Sequence, residues 1–175
     1  MLELNRISAG YGKQTVLDGI SVDFEKGKLT SIIGVNGCGK STLLKAILGI
    51  LSLSSGEIFI DGENLLTISR NEIAKKIAYL SQGKNIPDMT VEQMVLHGRF
   101  PYLSYPRRYS SHDREVAIKA MEIVGVAEFA HKPLYSLSGG MRQNAYIAMA
   151  LAQDTDYILL DEPTTYLDIA HQLEL

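Results

Sequence analysis

The chain has 175 residues, of which 46% are hydrophobic and 21% are charged, and its formal net charge is −3. This composition is typical of one globular domain, alone or with a subdomain, and the lack of a basic block argues against nucleic acid as a partner. No apolar run approaches the roughly 18 residues that a membrane-spanning helix needs. The single cysteine, Cys38, is typical of a protein of the reducing cytosol.

The first elements of the chain are predicted to be strands. Apolar and polar residues alternate over 2–8 and 20–25, as in half-exposed strands, and Lys26-Gly27-Lys28 indicates a turn. Leu29 to Ile33 form a short apolar and β-branched run, which predicts a buried strand. A further strand is predicted over 57–60, closed by a turn at Asp61-Gly62.

A glycine-rich loop follows the predicted buried strand. Gly34 to Ser41, GVNGCGKS, fit the phosphate-loop pattern G-x-x-x-x-G-K-[ST], and an apolar helical pattern over 41–48 follows. Glycines let the backbone wrap around phosphates, and the amides at a helix N-terminus then face the anion. Lys40 is expected to reach the β- and γ-phosphates and Ser41 to bind Mg²⁺. The other residues expected to hold the nucleotide here are Gly34, Asn36, Gly37, Cys38, Gly39 and Thr42.

The middle of the chain is predicted to be rich in helices. Ser69 and Thr90 are candidate caps for helices that end near 76 and 99, and a strand over 77–80 separates the two. The segment 100–112, with two prolines and three tyrosines, favours a surface loop. Ser110 or Ser111 then caps a helix over 113–124, which Gly125 ends.

A second candidate anion site opens the last predicted helix, which runs from Ser138 to about 152. Ser138-Gly139-Gly140 would leave a helix N-terminus almost bare of side chains, with a hydroxyl beside it. Because one phosphate loop serves one nucleotide, this site is expected to serve a neighbouring molecule. A glycine-rich helix start with an ordinary serine cap is the alternative.

Two carboxylates end the last predicted strand, Tyr157 to Leu160. Asp161 is placed where an α/β nucleotide enzyme holds Mg²⁺, and Glu162 is placed to act as general base toward water. The alternative is a strand that ends in two solvated acids. Helices are concentrated between two strand-rich ends, so we expect one domain whose nucleotide-binding α/β core comprises about 1–84 and 153–175. Residues 85–152 are then an inserted helical subdomain.

Three motifs in this order, GVNGCGKST, LSGGM and LLDEPTTYLD, resemble those of ATP-binding-cassette (ABC) ATPases. The resemblance implies an α/β fold: a P-loop NTPase core with an N-terminal antiparallel β-subdomain and the helical insertion. It also implies that two copies sandwich two ATP molecules between phosphate loop and signature. By the same resemblance Tyr11 stacks on adenine, Gln82 contacts Mg²⁺ and the attacking water, and Asp168 belongs to a loop at the dimer interface.

The chain departs from this family in two places. Met141 replaces the glutamine that usually follows LSGG, and it cannot supply that side chain's polar contacts. The family also carries a later histidine at the γ-phosphate. His171 lies too close to Asp168 to be that residue, and the histidines at 97, 112 and 131 lie upstream of the motif. The chain is therefore expected to be C-terminally truncated. By itself it is expected to be incomplete in ATPase activity.

The segments HGRFPY and DIAHQ resemble the ATPases of bacterial importers for iron(III)–siderophores, haem and cobalamin. This resemblance implies a place at the cytoplasmic face of the membrane, a permease bound through the region after Gln82, and a substrate-binding protein as indirect partner. The aromatics of 83–112 fit such an interface, and covering the subdomain's own core is the open alternative. They are Phe100, Tyr102, Tyr105 and Tyr109.

Two other functions are weighed against import. A soluble ABC ATPase of DNA repair, chromosome structure or translation would usually have a long insertion or a second cassette. Here the span between Gln82 and Leu137 is short and free of heptads. An inactive nucleotide-binding fragment remains the other alternative.

Overall fold

The computed structural model describes residues 1–81 and 86–161, and the chain divides into two compact units, Met1–Ile77 and Ala78–Leu175. The first unit contains a four-stranded antiparallel sheet in the order β2-β1-β3-β4. This confirms the expected N-terminal antiparallel sheet. The strands are β1 (Leu2–Tyr11), β2 (Gln14–Phe24), β3 (Leu53–Ile60) and β4 (Glu63–Asn64).

A bulge in β1 explains an irregular apolar pattern. Leu2 and Leu4 are buried at even positions, whereas Ile7 and Ala9 are buried at odd ones. The register of β1 with both neighbouring strands shifts between these two pairs, so the extra residue turns both pairs toward the same core. Gly56 of β3 packs against this bulge, because a Cβ there would lie only 2.3 Å from the Arg6 carbonyl oxygen.

Two helices complete the first unit. Helix α1 (Lys40–Ile47) contacts β1 and β2 and buries an apolar face that includes Leu43, Leu44 and Ile47. Helix α2 (Arg70–Lys76) begins as predicted at Ser69, whose hydroxyl accepts a hydrogen bond from the Glu72 amide. The contacts of α1 with β1 and β2 fix this helix, and with it the end of the phosphate loop, to the sheet.

The predicted buried strand over Leu29–Ile33 is wrong. None of these residues lies in a strand, and Leu29 and Ile33 are 97% and 92% exposed. A strand forms only where a neighbouring strand completes its hydrogen bonds. The centre of the first sheet offers no place, since β1 already pairs with β2 on one side and β3 on the other, and no strand within 1–81 and 86–161 pairs with 29–33.

The second unit holds a helical core and a short sheet. Strands β5 (Ile77–Leu80) and β6 (Tyr157–Leu160) lie where the sequence predicts them, and they pair with each other. Helices α3 (Val91–His97), α4 (Ser111–Ile123) and α5 (Gly139–Ala152) pack around one apolar cluster. The fully buried members of that cluster include Val91, Val95, Met121, Val126, Leu134, Ala145, Ala148 and Ala152. The boundaries expected near 84 and 152 stay predictions.

The predicted helix caps of the second unit are present. Thr90 and Ser110 each form a capping box with the residue three positions later, and Ser138 caps α5. Gly125 follows α4 with a φ of 71°, which suits a helix end. No helix of the described ranges has the length and apolar character to cross a membrane.

Candidate functional site

The phosphate loop (Gly34–Ser41) closes around its own lysine. The loop is exposed up to Cys38, and Lys40 opens α1. The Lys40 ammonium donates hydrogen bonds to the carbonyl oxygens of Gly34 at 2.8 Å and Val35 at 3.1 Å. The positive charge is therefore held inside the turn that the backbone makes. A phosphate chain entering this turn would meet that charge and the N-terminus of α1 together.

Gly39 and Gly34 contribute to the loop in different ways. Gly39 is the N-cap of α1 with a φ of 101°, and no side chain caps the helix there. Gly34 approaches Cys38, since a Cβ on Gly34 would lie 2.5 Å from the cysteine Sγ. The Cys38 amide donates to the Val35 carbonyl at 3.2 Å, so this residue helps to form the turn. Backbone amides without side-chain caps are what anion binding at a helix N-terminus requires.

The other predicted loop residues have distinct surroundings. Asn36 and Gly37 are exposed at the tip, and Gly37 has a φ of 81°. Ser41 is half-buried in the first turn of α1, and Thr42 is buried. At position 42 the backbone amide, not the packed side chain, is therefore the group suited to a ligand.

Tyr11 ends β1 in the same unit as the phosphate loop. Its side chain is 50% exposed, and the Lys45 Nζ of α1 lies 6.0 Å from the ring centroid. This distance is at the outer limit of a cation–π contact, so the contact holds the ring only weakly. An exposed aromatic face near α1 suits stacking on a base.

Asp161 follows β6 in the second unit. Its amide donates to the Leu80 carbonyl at 3.0 Å, and its Oδ2 accepts a hydrogen bond from the Tyr79 hydroxyl at 3.2 Å. Sequence analysis missed Tyr79, which is 82 positions away. No signal in the sequence pointed to this contact, because it depends on the pairing of β5 with β6. Gln82, Glu162, Asp168 and His171 lie outside the described residues, and their roles stay predictions.

The candidate signature opens α5 as expected. The Ser138 hydroxyl accepts a hydrogen bond from the Met141 amide at 3.3 Å, and Gly139 and Gly140 form the first positions of the helix. Met141 is partly buried and packs against the helical core. The residue that replaces the usual glutamine therefore contributes apolar packing.

The four aromatics of 100–109 fall into two pairs. Tyr109 packs against the helical core, and the Tyr102 hydroxyl donates to the Gln153 carbonyl at 2.9 Å. Phe100 is 44% exposed and has the Arg107 guanidinium 4.5 Å from its ring centroid, while Tyr105 is 97% exposed. Two of these residues thus support the second unit itself, and two remain on the surface.

The histidines and other candidate metal ligands do not converge within the described part of the chain. No group of three or more His, Cys, Asp or Glu residues there could hold a metal ion. The side chains of His97, His112 and His131 are exposed, and the His131 Nδ1 lies 3.5 Å from the Glu92 carboxylate. This agrees with surface positions for the three.

Comparison with known proteins identifies the relatives of the chain. The ABC transporter family matches residues 17–165. The petrobactin import ATP-binding protein FpuD of Bacillus anthracis is 44% identical over 99% of this chain and 64% of its own length. The ferric enterobactin transport ATP-binding protein FepC of Escherichia coli (strain K12) is 43% identical over 97% of this chain and 63% of its own length. The chain thus spans a little under two thirds of these relatives.

Solved structures agree with this assignment. An inward-facing putative metal-chelate type ABC transporter has a TM-score of 0.83 and 33% identity, covering 98% of this chain and 64% of that one. The dimeric bacterial ABC transporter cassette MJ0796 has a TM-score of 0.81 and 28% identity, covering 99% of this chain and 79% of that one. Family, relatives and fold coincide with the motif order and with the loop geometry. The chain belongs to the ATP-binding proteins of the ABC transporter family.

Proposed function

We propose that this chain is the ATP-binding and ATP-hydrolysing part of a bacterial ABC importer for an iron(III)–siderophore or a related metal chelate. The observation that carries the proposal is the phosphate loop, in which Lys40 lies inside a glycine turn at the uncapped N-terminus of α1. The names of FpuD and FepC, which refer to petrobactin import and ferric enterobactin transport, support the class of cargo.

The residues assigned to Mg²⁺ suit that ion chemically. Ser41, Gln82 and Asp161 offer a hydroxyl, an amide and a carboxylate oxygen, which are the hard donors that Mg²⁺ prefers. Asp161 is fixed by the hydrogen bond from Tyr79 and by its own amide. Bound Mg²⁺ would neutralise charge on the phosphates of ATP.

Each remaining residue has one task in the proposed reaction. Tyr11 stacks on adenine, and the loop amides with Lys40 hold the β- and γ-phosphates. Glu162 orients a water for in-line attack on the γ-phosphate, and Gln82 contacts that water. Ser138, Gly139 and Gly140 of a second copy complete the site from the other side of the nucleotide.

The proposed partners follow from this reaction. A second copy of the chain forms the ATP sandwich, in line with the dimeric cassette to which the fold is similar. Closure of the ATP-bound dimer acts on permease subunits at the cytoplasmic face of the membrane, through the region after Gln82. A substrate-binding protein delivers the chelate to these permease subunits. This chain then never contacts the cargo, and nucleic acid has no part in the cycle.

Replacing Lys40 with Ala tests the nucleotide site. We expect Lys40→Ala to abolish tight ATP binding, because the charge inside the glycine turn is lost. Lys119→Ala makes the same change on the exposed face of α4 and is the matched control. Binding of a fluorescent ATP analogue, with circular dichroism to check folding, measures both variants.

The outcomes test the nucleotide site, which the import proposal shares with a soluble ABC ATPase. Unchanged ATP binding by a folded Lys40→Ala variant would contradict the assigned role of the phosphate loop. Equal loss in both variants would point to a general effect of charge, and it would also count against the assignment. ATP binding without hydrolysis by the 175-residue chain would support the alternative of a catalytically incomplete module.

A further inference from the structure

A buried ion pair lies in the second unit. Arg99 and Asp113 are 4% and 7% exposed, and the Arg99 Nε donates to the Asp113 Oδ1 at 2.9 Å. Burying two charges costs free energy unless each has a partner and further hydrogen bonds. The additional contacts of both residues therefore indicate what the pair holds in place.

Asp113 ties the ion pair to the start of α4. Its Oδ2 accepts hydrogen bonds from the Ser110 hydroxyl at 2.7 Å and from the Ser110 amide at 2.9 Å. Burial alone would raise the pKa of the Asp113 carboxyl, but the hydrogen bonds from Ser110 and Arg99 outweigh it and lower the pKa. The carboxylate thus stays charged and fixes the N-terminus of α4 to Arg99.

Arg99 and Tyr102 together cap the C-terminal end of α5. The Arg99 Nη1 donates to the Ala152 carbonyl at 3.1 Å, and the Tyr102 hydroxyl donates to the carbonyls of Gln153 at 2.9 Å and Asp154 at 3.3 Å. Such carbonyls have no partner within the helix, and positive charge is favourable there. The Tyr102 ring also stacks on the guanidinium, with 4.0 Å between Cζ and ring centroid.

Gly98 allows this approach. A Cβ at Gly98 would lie 2.2 Å from the Met149 carbonyl oxygen, so only glycine lets the end of α3 lie directly on α5. The next residue, Arg99, can then reach the last carbonyls of that helix. The sequence Gly98-Arg99 is explained by this contact without reference to a ligand.

The other end of α5 is the candidate signature. The helix has 14 residues, a length of about 21 Å, and Ser138 caps its N-terminus. A hydrogen-bonded helix of this length moves as a rigid rod, so its two ends are displaced together. The short turn that carries Arg99 and Tyr102 continues directly into the exposed stretch 104–108.

We propose that Arg99, Tyr102 and Asp113, here named the Arg99 junction, position the signature by anchoring the C-terminal end of α5. The three residues act through α5, so they are positioning residues. The inference rests on the proposed function only where it treats Ser138 as part of a composite ATP site.

The first test measures the anchor in the 175-residue chain without nucleotide. Tyr102→Phe removes the hydroxyl but keeps the ring on Arg99, and Tyr105→Phe makes the same change at a 97% exposed position. Hydrogen exchange of the amides over 150–157 should become about fivefold faster in Tyr102→Phe and stay unchanged in Tyr105→Phe. Equal exchange rates in the two variants would overturn the anchor, whatever the protein does with ATP.

The second test measures positioning in a form extended to the length of the relatives. This extended form appends the part of FpuD that lies outside the match. In Tyr102→Phe and Asp113→Asn, ATP binding to the single subunit should be unchanged, because both variants keep every residue assigned to the nucleotide and Mg²⁺. ATP-driven dimerisation, measured by analytical ultracentrifugation, should weaken about fivefold, and the KM of hydrolysis should rise with kcat retained.

The outcomes separate the two proposals. Faster exchange with unchanged dimerisation would show a local helix cap and would overturn the positioning role. A wild-type extended form that binds no ATP or never dimerises would instead contradict the proposed function, while the exchange result still decides the anchor. If dimerisation also weakened in Tyr105→Phe, the effect would not be specific to the Tyr102 hydroxyl, and the inference would be overturned.

Discussion

At the residue scale, two glycines of the phosphate loop share a left-handed backbone but differ in their surroundings. Gly37 has a φ of 81° and open space where a Cβ would be, whereas Gly39 has a φ of 101° and neighbours close by. A Cβ at Gly39 would lie 3.1 Å from Val16 Cγ1 and 3.2 Å from Leu17 Cδ2. The motif predicts glycine at both positions, but only the structure separates backbone strain from packing.

Alanine at these two glycines should therefore have unequal effects. Gly37→Ala should cost about 1–2 kcal/mol of unfolding free energy through its backbone alone. Gly39→Ala should cost about 1 kcal/mol more, because β2 side chains must also shift. Urea denaturation followed by circular dichroism measures the difference. Equal losses of unfolding free energy in the two variants would show that the contacts with Val16 and Leu17 do not contribute.

Motifs predict the chemistry-bearing residues but not their supporting contacts. Lys40, Ser41 and Asp161 follow from local patterns, because each pattern is confined to a few consecutive residues. The bond from Tyr79 to Asp161 and the pair Arg99–Asp113 join positions 82 and 14 residues apart. Such pairs depend on how strands and helices pack, so no local pattern in one sequence indicates them.

At the element scale, helix ends were predictable and one strand was not. Ser69, Thr90, Ser110 and Ser138 cap their helices through hydrogen bonds within three residues, so the signal is local. The run Leu29–Ile33 has the composition of a strand, but a strand also needs a partner, which local sequence does not supply. Its exposure in the described structure follows from that missing partner.

The ion pair that joins α3 and α4 should make stability depend on pH in a specific direction. The folded-state pKa of Asp113 lies below its unfolded value of about 3.9, so its contribution is complete above that value and is lost as pH falls through the folded pKa. Tyr109, whose pKa is raised by burial and by Asp113, stays neutral.

Asp113→Asn should therefore destabilise the chain by about 3 kcal/mol at neutral pH, with a smaller difference from wild type below about pH 4. Glu115→Gln, which removes a carboxylate from the exposed face of the same helix, is the control and should change little. Urea denaturation across this pH range gives the differences. A difference for Asp113→Asn that is independent of pH would contradict the ion pair as the source of this stability.

At the scale of the whole molecule, the order of motifs predicted the fold class because each motif belongs to a different part of one architecture. The antiparallel sheet, the phosphate loop with α1, and α5 with its serine cap are all present in the described residues. The chain spans 64% of FpuD, so the complete catalytic cycle is a property proposed for a longer assembly. Glu162, the proposed base, and the expected later histidine belong to that proposal.

The most direct test measures Mg·ATP binding and hydrolysis by the 175-residue chain, by the extended form and by the extended form with Glu162→Gln. We predict that all three bind ATP and that only the extended form with Glu162 turns it over. The extended form supplies the later γ-phosphate histidine that the family resemblance implies, and Glu162→Gln removes the proposed base. Turnover by the Glu162→Gln variant at the full rate, or absence of ATP binding in the extended form, would contradict this account.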